Sequence, residues 1–152
     1  MRRLLICMFG AGSFWDGVTS LLGIIGLFGV TDWKLELEYV LIYITSIIGS
    51  LLILALSINA EDIWQDGKYN FLMLFHIFAV IFDAYTSFLG TAQNVLLKDS
   101  RTAFITIGFA EVWEKTTFEQ KIALIFVTVL ITMSPIALSI LKGESNSTLP
   151  RI

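Results

Sequence analysis

The chain has 152 residues, of which 56% are hydrophobic and only 15% are charged, with a formal net charge of −3. A soluble domain carries roughly a quarter charged residues, so this composition excludes an ordinary water-soluble protein. The slight acidic excess provides no basic surface for a nucleic acid, and we expect no nucleic-acid partner. The single cysteine, Cys7, excludes an intrachain disulfide.

Four apolar segments follow one another along the chain, and short charged connections separate them. Each has at least roughly the 18 to 20 residues that an α-helix needs to cross the hydrocarbon layer of a membrane. The segments are Leu4–Val30, Leu37–Ile58, Phe71–Leu97 and Ile122–Leu141. We therefore predict an all-α integral membrane protein with four transmembrane helices, whose first partner is the lipid bilayer.

The first segment contains an aspartate near its middle, in the octet DGVTSLLG. Residues spaced i, i+3, i+4 and i+7 share one face of a helix. On this face lie Asp16, Thr19, Ser20 and Gly23, and Gly12 extends it by one turn. A carboxylate facing lipid at this depth would cost about 2.5 to 3.5 kcal/mol or more. We therefore expect this face to turn toward protein or water.

The second segment has no acidic residue in its interior but carries a seam of small side chains. The seam consists of Ser46, Gly49 and Ser50, with Ser57 further along. Small residues let helix backbones approach closely in membranes. We predict that Ser46, Gly49 and Ser50, together with Gly12, Gly23 and Gly90 of the odd-numbered segments, mediate helix packing.

The third segment repeats the aspartate pattern in the octet DAYTSFLG. Asp83, Thr86, Ser87 and Gly90 have the same spacing as their counterparts in the first segment. His76 and Asn94 lie on the same helical face, before and after the octet. This helix is therefore predicted to have a polar seam along most of its length.

The two octets match at Asp, Thr, Ser, Leu and Gly, and an even number of spans relates them. We interpret this match as an internal duplication that gives two tandem two-helix repeats, which point the same way through the bilayer. The predicted units are a first repeat at 1–68 and a second at 69–142, with a longer connection at 98–118. Residues 143–152 form a short polar C-terminal tail.

The longer connection and the start of the fourth span carry specific signals. Thr116 with Glu119, and Thr117 with Gln120, each form a capping-box pattern, so we predict that the fourth helix starts near Thr117. Pro135 predicts a kink or a local break in this helix. The stretch FITIGFAEVW is too apolar to remain solvated, and we expect it at the membrane surface, against partner chains or as a cap over the bundle.

Basic residues flank the first and last spans. Arg2 and Arg3 precede the first span, whereas Lys142 and Arg151 follow the last. An even number of spans places both termini on one side, and the positive-inside rule makes that side the cytoplasm.

Two hypotheses about function follow from the buried aspartates. The first is a homo-oligomeric proton or cation channel, since membrane carboxylates beside hydroxyl groups are the parts of a relay. Its predicted pathway consists of Asp16, Thr19, Ser20, His76, Asp83, Thr86, Ser87 and Asn94. The alternative is a non-catalytic accessory or assembly subunit, in which protonated aspartates only fasten helices of a larger membrane complex.

The sequence favours neither an enzyme nor a metal site. Intramembrane aspartyl proteases also use paired aspartates, but their Gly-x-Gly-Asp signature is absent from the residues before Asp16 and Asp83. His76 is the single histidine, and Asp83 lies two helical turns away from it, too far to share a metal ion. We predict no catalytic residue and no metal ligand, and no particular cofactor is indicated, although lipid or pigment binding stays open.

Overall fold

The computed structural model describes residues 1–30, 32–65, 70–96 and 108–147, and the regular secondary structure of these residues is helical. The long helices are α1 (Arg2–Leu27), α2 (Leu37–Ile58), α4 (Asn70–Thr91) and α6 (Phe118–Ser147); the short ones are α3 (Ala60–Gln65) and α5 (Phe109–Lys115). The four long helices are apolar and long enough to cross a membrane. The prediction of a four-span, all-α membrane protein is confirmed at this level, whereas the division into two repeats stays a prediction.

The helix ends differ from the apolar segments where local chemistry intervenes. Helix α1 ends at Leu27, before Val30, because Gly29 adopts a left-handed backbone angle of φ 76° that ends the helix. Helix α4 passes into a π-helical turn at Ala92–Leu96. Helix α6 continues to Ser147, beyond the predicted end of the apolar segment at Leu141.

The start of α6 is fixed by one of the two predicted capping boxes. The Thr117 N–H donates to Gln120 Oε1 at 2.9 Å, and the Gln120 N–H donates to Thr117 Oγ1 at 3.3 Å. Thr116 has another role, since its hydroxyl donates to the Val112 carbonyl at 2.8 Å at the end of α5. The predicted start near Thr117 is therefore confirmed. Pro135 is fully buried inside α6, which remains helical on both sides of it.

The bundle is organised around α1, which packs most extensively against α4 and also contacts α6 and α2. Large apolar side chains such as Leu51, Phe78 and Phe126 are more than half exposed on the outside. The interior, in contrast, contains many buried serine and threonine residues. Such an arrangement suits a protein whose outer surface faces hydrocarbon and whose helices associate through small and polar residues.

The two ends of the bundle are closed by different short helices. At one end, the Arg2 guanidinium donates to the Leu141 carbonyl at 2.7 Å, and the Glu61 N–H of α3 donates to Ser139 Oγ at 3.0 Å. At the other end, Val112 of α5 is completely buried in a cluster with Phe88, Leu89, Ala92 and Leu124. The described part of the third connection therefore forms a cap over the bundle, one of the three placements that its apolar sequence predicted.

Candidate functional site

Helices α1 and α4 meet at a cluster of six polar side chains near the middle of both helices. Every member is exposed by 1% or less. The cluster consists of Asp16, Thr19, Ser20, Asp83, Thr86 and Ser87. Sequence spacing placed these residues on one face of each helix, and the structure turns the two faces toward each other.

The hydrogen bonds between the helices are reciprocal. Ser87 Oγ of α4 donates to Asp16 Oδ1 of α1 at 3.0 Å. In the opposite direction, Ser20 Oγ of α1 donates to Asp83 Oδ1 of α4. Each aspartate is therefore held by the serine of the other helix, at equivalent positions of the two octets.

The threonines connect these two pairs into a continuous set of hydroxyl groups. Thr19 Oγ1 lies 3.1 Å from Ser87 Oγ, and Thr86 Oγ1 lies 2.8 Å from Ser20 Oγ. Both threonines can also donate to carbonyls of their own helices, Thr19 to Asp16 O and Thr86 to Phe82 O. This local bonding leaves the serine hydroxyl protons available for the carboxyl groups.

Two glycines permit the close contact on which the cluster depends. A Cβ atom at Gly23 would overlap the Thr86 carbonyl, and one at Gly90 would overlap the Thr19 carbonyl. Helix backbones can approach this closely only where a side chain is missing. Short side chains such as serine and aspartate can then reach across the interface.

The carboxyl groups of Asp16 and Asp83 lie in the same cluster, since Ser20 bonds to Asp83 and to Ser87, and Ser87 bonds to Asp16. Within the described part of the chain, no basic side chain forms an ion pair with either of them. Asp83 Oδ2 is buried and has no hydrogen-bond partner among these residues. Two adjacent carboxylates without a compensating cation would repel each other strongly, so a proton shared by the pair is the simplest compensation.

His76 does not join this cluster. It is 4% exposed and lines a separate cavity of about 400 Å³ between α3, α4 and α6. Its Nδ1 atom has no hydrogen-bond partner among the described residues, and its ring meets the edge of Trp64 at 6.3 Å between centroids. The structure thus brings six of the eight predicted pathway residues together and places His76 elsewhere.

The remaining predicted residues take ordinary positions in the interior. Gly12 faces the side chain of Ser134 on α6, and Gly49 faces Ile24. Ser46 and Ser50 are buried, and their hydroxyl groups donate to carbonyls of α2 itself. Asn94 belongs to the π-helical turn, but its side chain lies outside the described part of the structure.

Sequence reasoning missed several buried polar groups, of which Gln93 and Glu61 have the largest side chains. Gln93 is 1% exposed, and its side chain lies against Gly26 of α1. Its position three residues after Gly90 continues the octet face, so helical spacing could have identified it. Glu61 lies in a short charged connection between two apolar segments, yet one of its carboxyl oxygens is buried against Gly143. No periodic signal marks such a residue.

Comparison of the chain with protein-family models, with curated proteins and with solved structures finds no match in any of the three.

Proposed function

We propose that this small four-span membrane protein is a proton or cation translocator that uses the paired aspartates and assembles as a homo-oligomer. The observation that carries the proposal is the reciprocal serine–aspartate cluster between α1 and α4. Intramembrane ionisable groups are costly, and those that persist commonly mark a proton or ion path. The two-repeat organisation belongs to the same proposal, because equivalent octet positions make the reciprocal bonds.

The geometry favours protons over larger cations as the transported species. A metal cation needs several oxygen ligands and a gap wide enough for the ion to pass. The two aspartates, in contrast, are enclosed and only 1% exposed. A proton needs only hydrogen-bonded oxygen atoms. The chain of hydroxyl groups from Thr19 through Ser87 and Ser20 to Thr86 provides such atoms beside both carboxyl groups.

A homo-oligomer would supply the access routes on either side of the cluster. Four helices enclose little space, and the outer face of the bundle carries many exposed apolar side chains that a second copy could cover as well as lipid could. No catalytic step is part of this proposal.

The close helix contacts favour the second candidate, an accessory or assembly subunit. Gly23 and Gly90 place each backbone directly against the other, as expected where a polar cluster only fastens two helices. In that case the aspartates would act as hydrogen-bonding groups, and their exchange for asparagine would leave activity unchanged.

Flux measurements on purified protein in liposomes distinguish the two candidates. We expect wild-type vesicles to conduct protons under at least one polarity of voltage or pH gradient. Asp16→Asn and Asp83→Asn should each lower the flux at least about ten-fold, because the amide retains shape and hydrogen bonding but cannot release a proton to the relay. Potassium and sodium flux, measured in parallel, would show whether larger cations also pass.

Asp62→Asn is the matched control, since Asp62 is an exposed aspartate of α3 outside the cluster. This variant should conduct like the wild type. Helix content and oligomer size should be unchanged in all three variants. Wild-type vesicles that are no leakier than empty ones under both polarities would eliminate translocation in favour of the accessory-subunit function.

A further inference from the structure

The cavity beside His76 has the features of a ligand site that is independent of the aspartate cluster. Helix α3 forms one wall with Ala60, Glu61 and Trp64, and α4 and α6 supply the others. Its volume of about 400 Å³ lies within the range of sites for small organic ligands. Apart from Glu61, Trp64 and His76, every lining residue is aliphatic.

Two residues that line this cavity each carry a buried polar atom that has no partner among the described residues. These atoms are Nδ1 of His76 and Oε2 of Glu61. An unsatisfied buried polar atom costs about 1 to 3 kcal/mol, so proteins rarely leave one without a water molecule or ligand. The other oxygen of Glu61 already accepts a hydrogen bond from Gln65 at 2.6 Å, which holds the carboxyl group in place.

The position of the cavity indicates that its ligand comes from the membrane. It lies at the end of the bundle where α3 contacts Ser139, next to the Arg2–Leu141 hydrogen bond. Ile81 and Ile140, which line it, are half exposed or more on the lipid-facing surface. The cavity therefore lies near one membrane surface and is reached from the side, at the depth where lipid head groups meet acyl chains.

The charges of the lining select among lipids. No lysine or arginine is among the described lining residues, and an anionic head group inside the cavity would face Glu61. A hydroxyl group, in contrast, can donate to a carboxylate oxygen and can either donate to or accept from a neutral imidazole. We propose that this cavity binds a neutral membrane lipid whose polar end is a hydroxyl group and whose apolar body lies along Ile77, Val80 and Ile136.

Trp64 provides a direct reporter because it lines the cavity. The chain has four tryptophans, so replacing Trp15, Trp33 and Trp113 with phenylalanine leaves Trp64 as the sole tryptophan, which can be excited selectively. The probe is a long-chain alcohol that carries bromine close to its hydroxyl group, added to protein in phosphocholine bilayers. We expect saturable quenching of Trp64, reversed by the unlabelled alcohol. The bromoalkane without the hydroxyl group should quench only weakly and without saturation.

Variants of the cavity test the hydrogen bond and the space separately. His76→Phe should raise the half-saturating alcohol concentration about 5- to 10-fold, the effect of one lost hydrogen bond, whereas His76→Asn, with an amide near the Nδ1 position, should retain binding. Val80→Phe should fill the cavity and abolish saturation. Val129→Phe is the matched control on a lipid-exposed position of α6 outside this cavity, and it should bind like the parent.

Three outcomes would overturn the proposal. Equal quenching by the alcohol and the bromoalkane would mean that the cavity only contacts bulk lipid. Tighter binding of the matching alkylammonium probe would identify a cationic ligand that pairs with Glu61. An unchanged half-saturation in His76→Phe would remove the histidine from the site. Photolabelling provides the same test on the unaltered protein. An alcohol photoprobe should label it, and unlabelled alcohol should reduce that labelling. Labelling that unlabelled alcohol does not reduce would likewise contradict the proposal.

Discussion

At the scale of single residues, Gly23 determines how closely α1 and α4 can approach. Its missing side chain is replaced by the Thr86 carbonyl of the other helix, which a Cβ atom would overlap. We predict that Gly23→Ala lowers the free energy of unfolding by about 1 to 3 kcal/mol, because the two backbones must separate and the serine–aspartate bonds must lengthen. Unfolding in detergent, followed by circular dichroism, measures this change.

Gly10→Ala is the control for this prediction. Gly10 lies on the same helix, but a Cβ atom there would have nothing within 4 Å. Alanine is the better helix former, so this variant should be as stable as the parent or slightly more stable. Equal effects at the two positions would show that helix propensity, and not contact with Thr86, governs the response.

The faces of these helices could be predicted from sequence, but the individual bonds could not. Spacing of i, i+3, i+4 and i+7 identifies which residues share a side of one helix. Which side chain opposes Asp16 depends on the register of two helices, and the crossed pairing with Ser87 follows from that register alone. The cavity at His76 was not predictable, because α3 and Glu61, which complete it, carry no periodic signal.

At the scale of secondary-structure elements, α5 caps the bundle through one completely buried side chain. Val112 packs into the cluster that includes Phe88 and Leu124. We predict that Val112→Ser releases α5 and accelerates tryptic cleavage at Lys115 several-fold in intact membranes, because serine removes apolar contacts and leaves a polar group in the cluster. Mass spectrometry of the fragments over time measures the rate.

Ala110→Ser is the matched substitution on the same helix, at an exposed position away from the cleavage site. It should leave the cleavage rate at Lys115 unchanged within about two-fold. If the rate rises as much as in the Val112 variant, serine acts by weakening the helix itself, and the packing of α5 contributes little to its protection.

Local sequence signals were sufficient for some element boundaries and insufficient for others. Both threonine pairs fit a capping box, so the pattern predicts a helix start near Thr117 but does not identify which of Thr116 and Thr117 is the cap. The structure distinguishes them, because the Thr116 hydroxyl bonds back to the Val112 carbonyl at the end of α5, whereas Thr117 caps α6. The early end of α1 similarly depends on one glycine, Gly29, among several in that segment.

At the scale of the whole molecule, the bundle defines two ends that a labelling experiment can assign to membrane sides. The Arg2–Leu141 hydrogen bond places the N-terminal end of α1 next to the C-terminal part of α6, and α3 lies beside them. Helix α5 lies at the opposite end of the bundle. We predict that cysteines at positions 33 and 113 react with an impermeant reagent from outside, and that a cysteine at position 62 reacts only from the cytoplasmic side. Cys7→Ser provides the background.

Intact cells and inverted vesicles give opposite labelling patterns, which serve as mutual controls. Labelling of positions 33 and 62 from the same side would contradict the order of the spans. Labelling of 62 alone from outside would retain the bundle but invert its orientation, and would place both termini outside the cytoplasm.

The crossed bonds between the octets have a consequence for the way the chain is made. During synthesis, α1 enters the membrane before the residues of α4 exist, so Asp16 at first lacks the serine that holds it in the finished protein. Helix α1 also has the lowest mean hydropathy of the four spans, 1.3 against 1.8 to 2.4. A nascent chain that stops after the second span therefore carries an incompletely satisfied first helix. We therefore expect α1 to be less stably integrated in a chain truncated after the second span than in the full-length protein, where Ser87 bonds to Asp16.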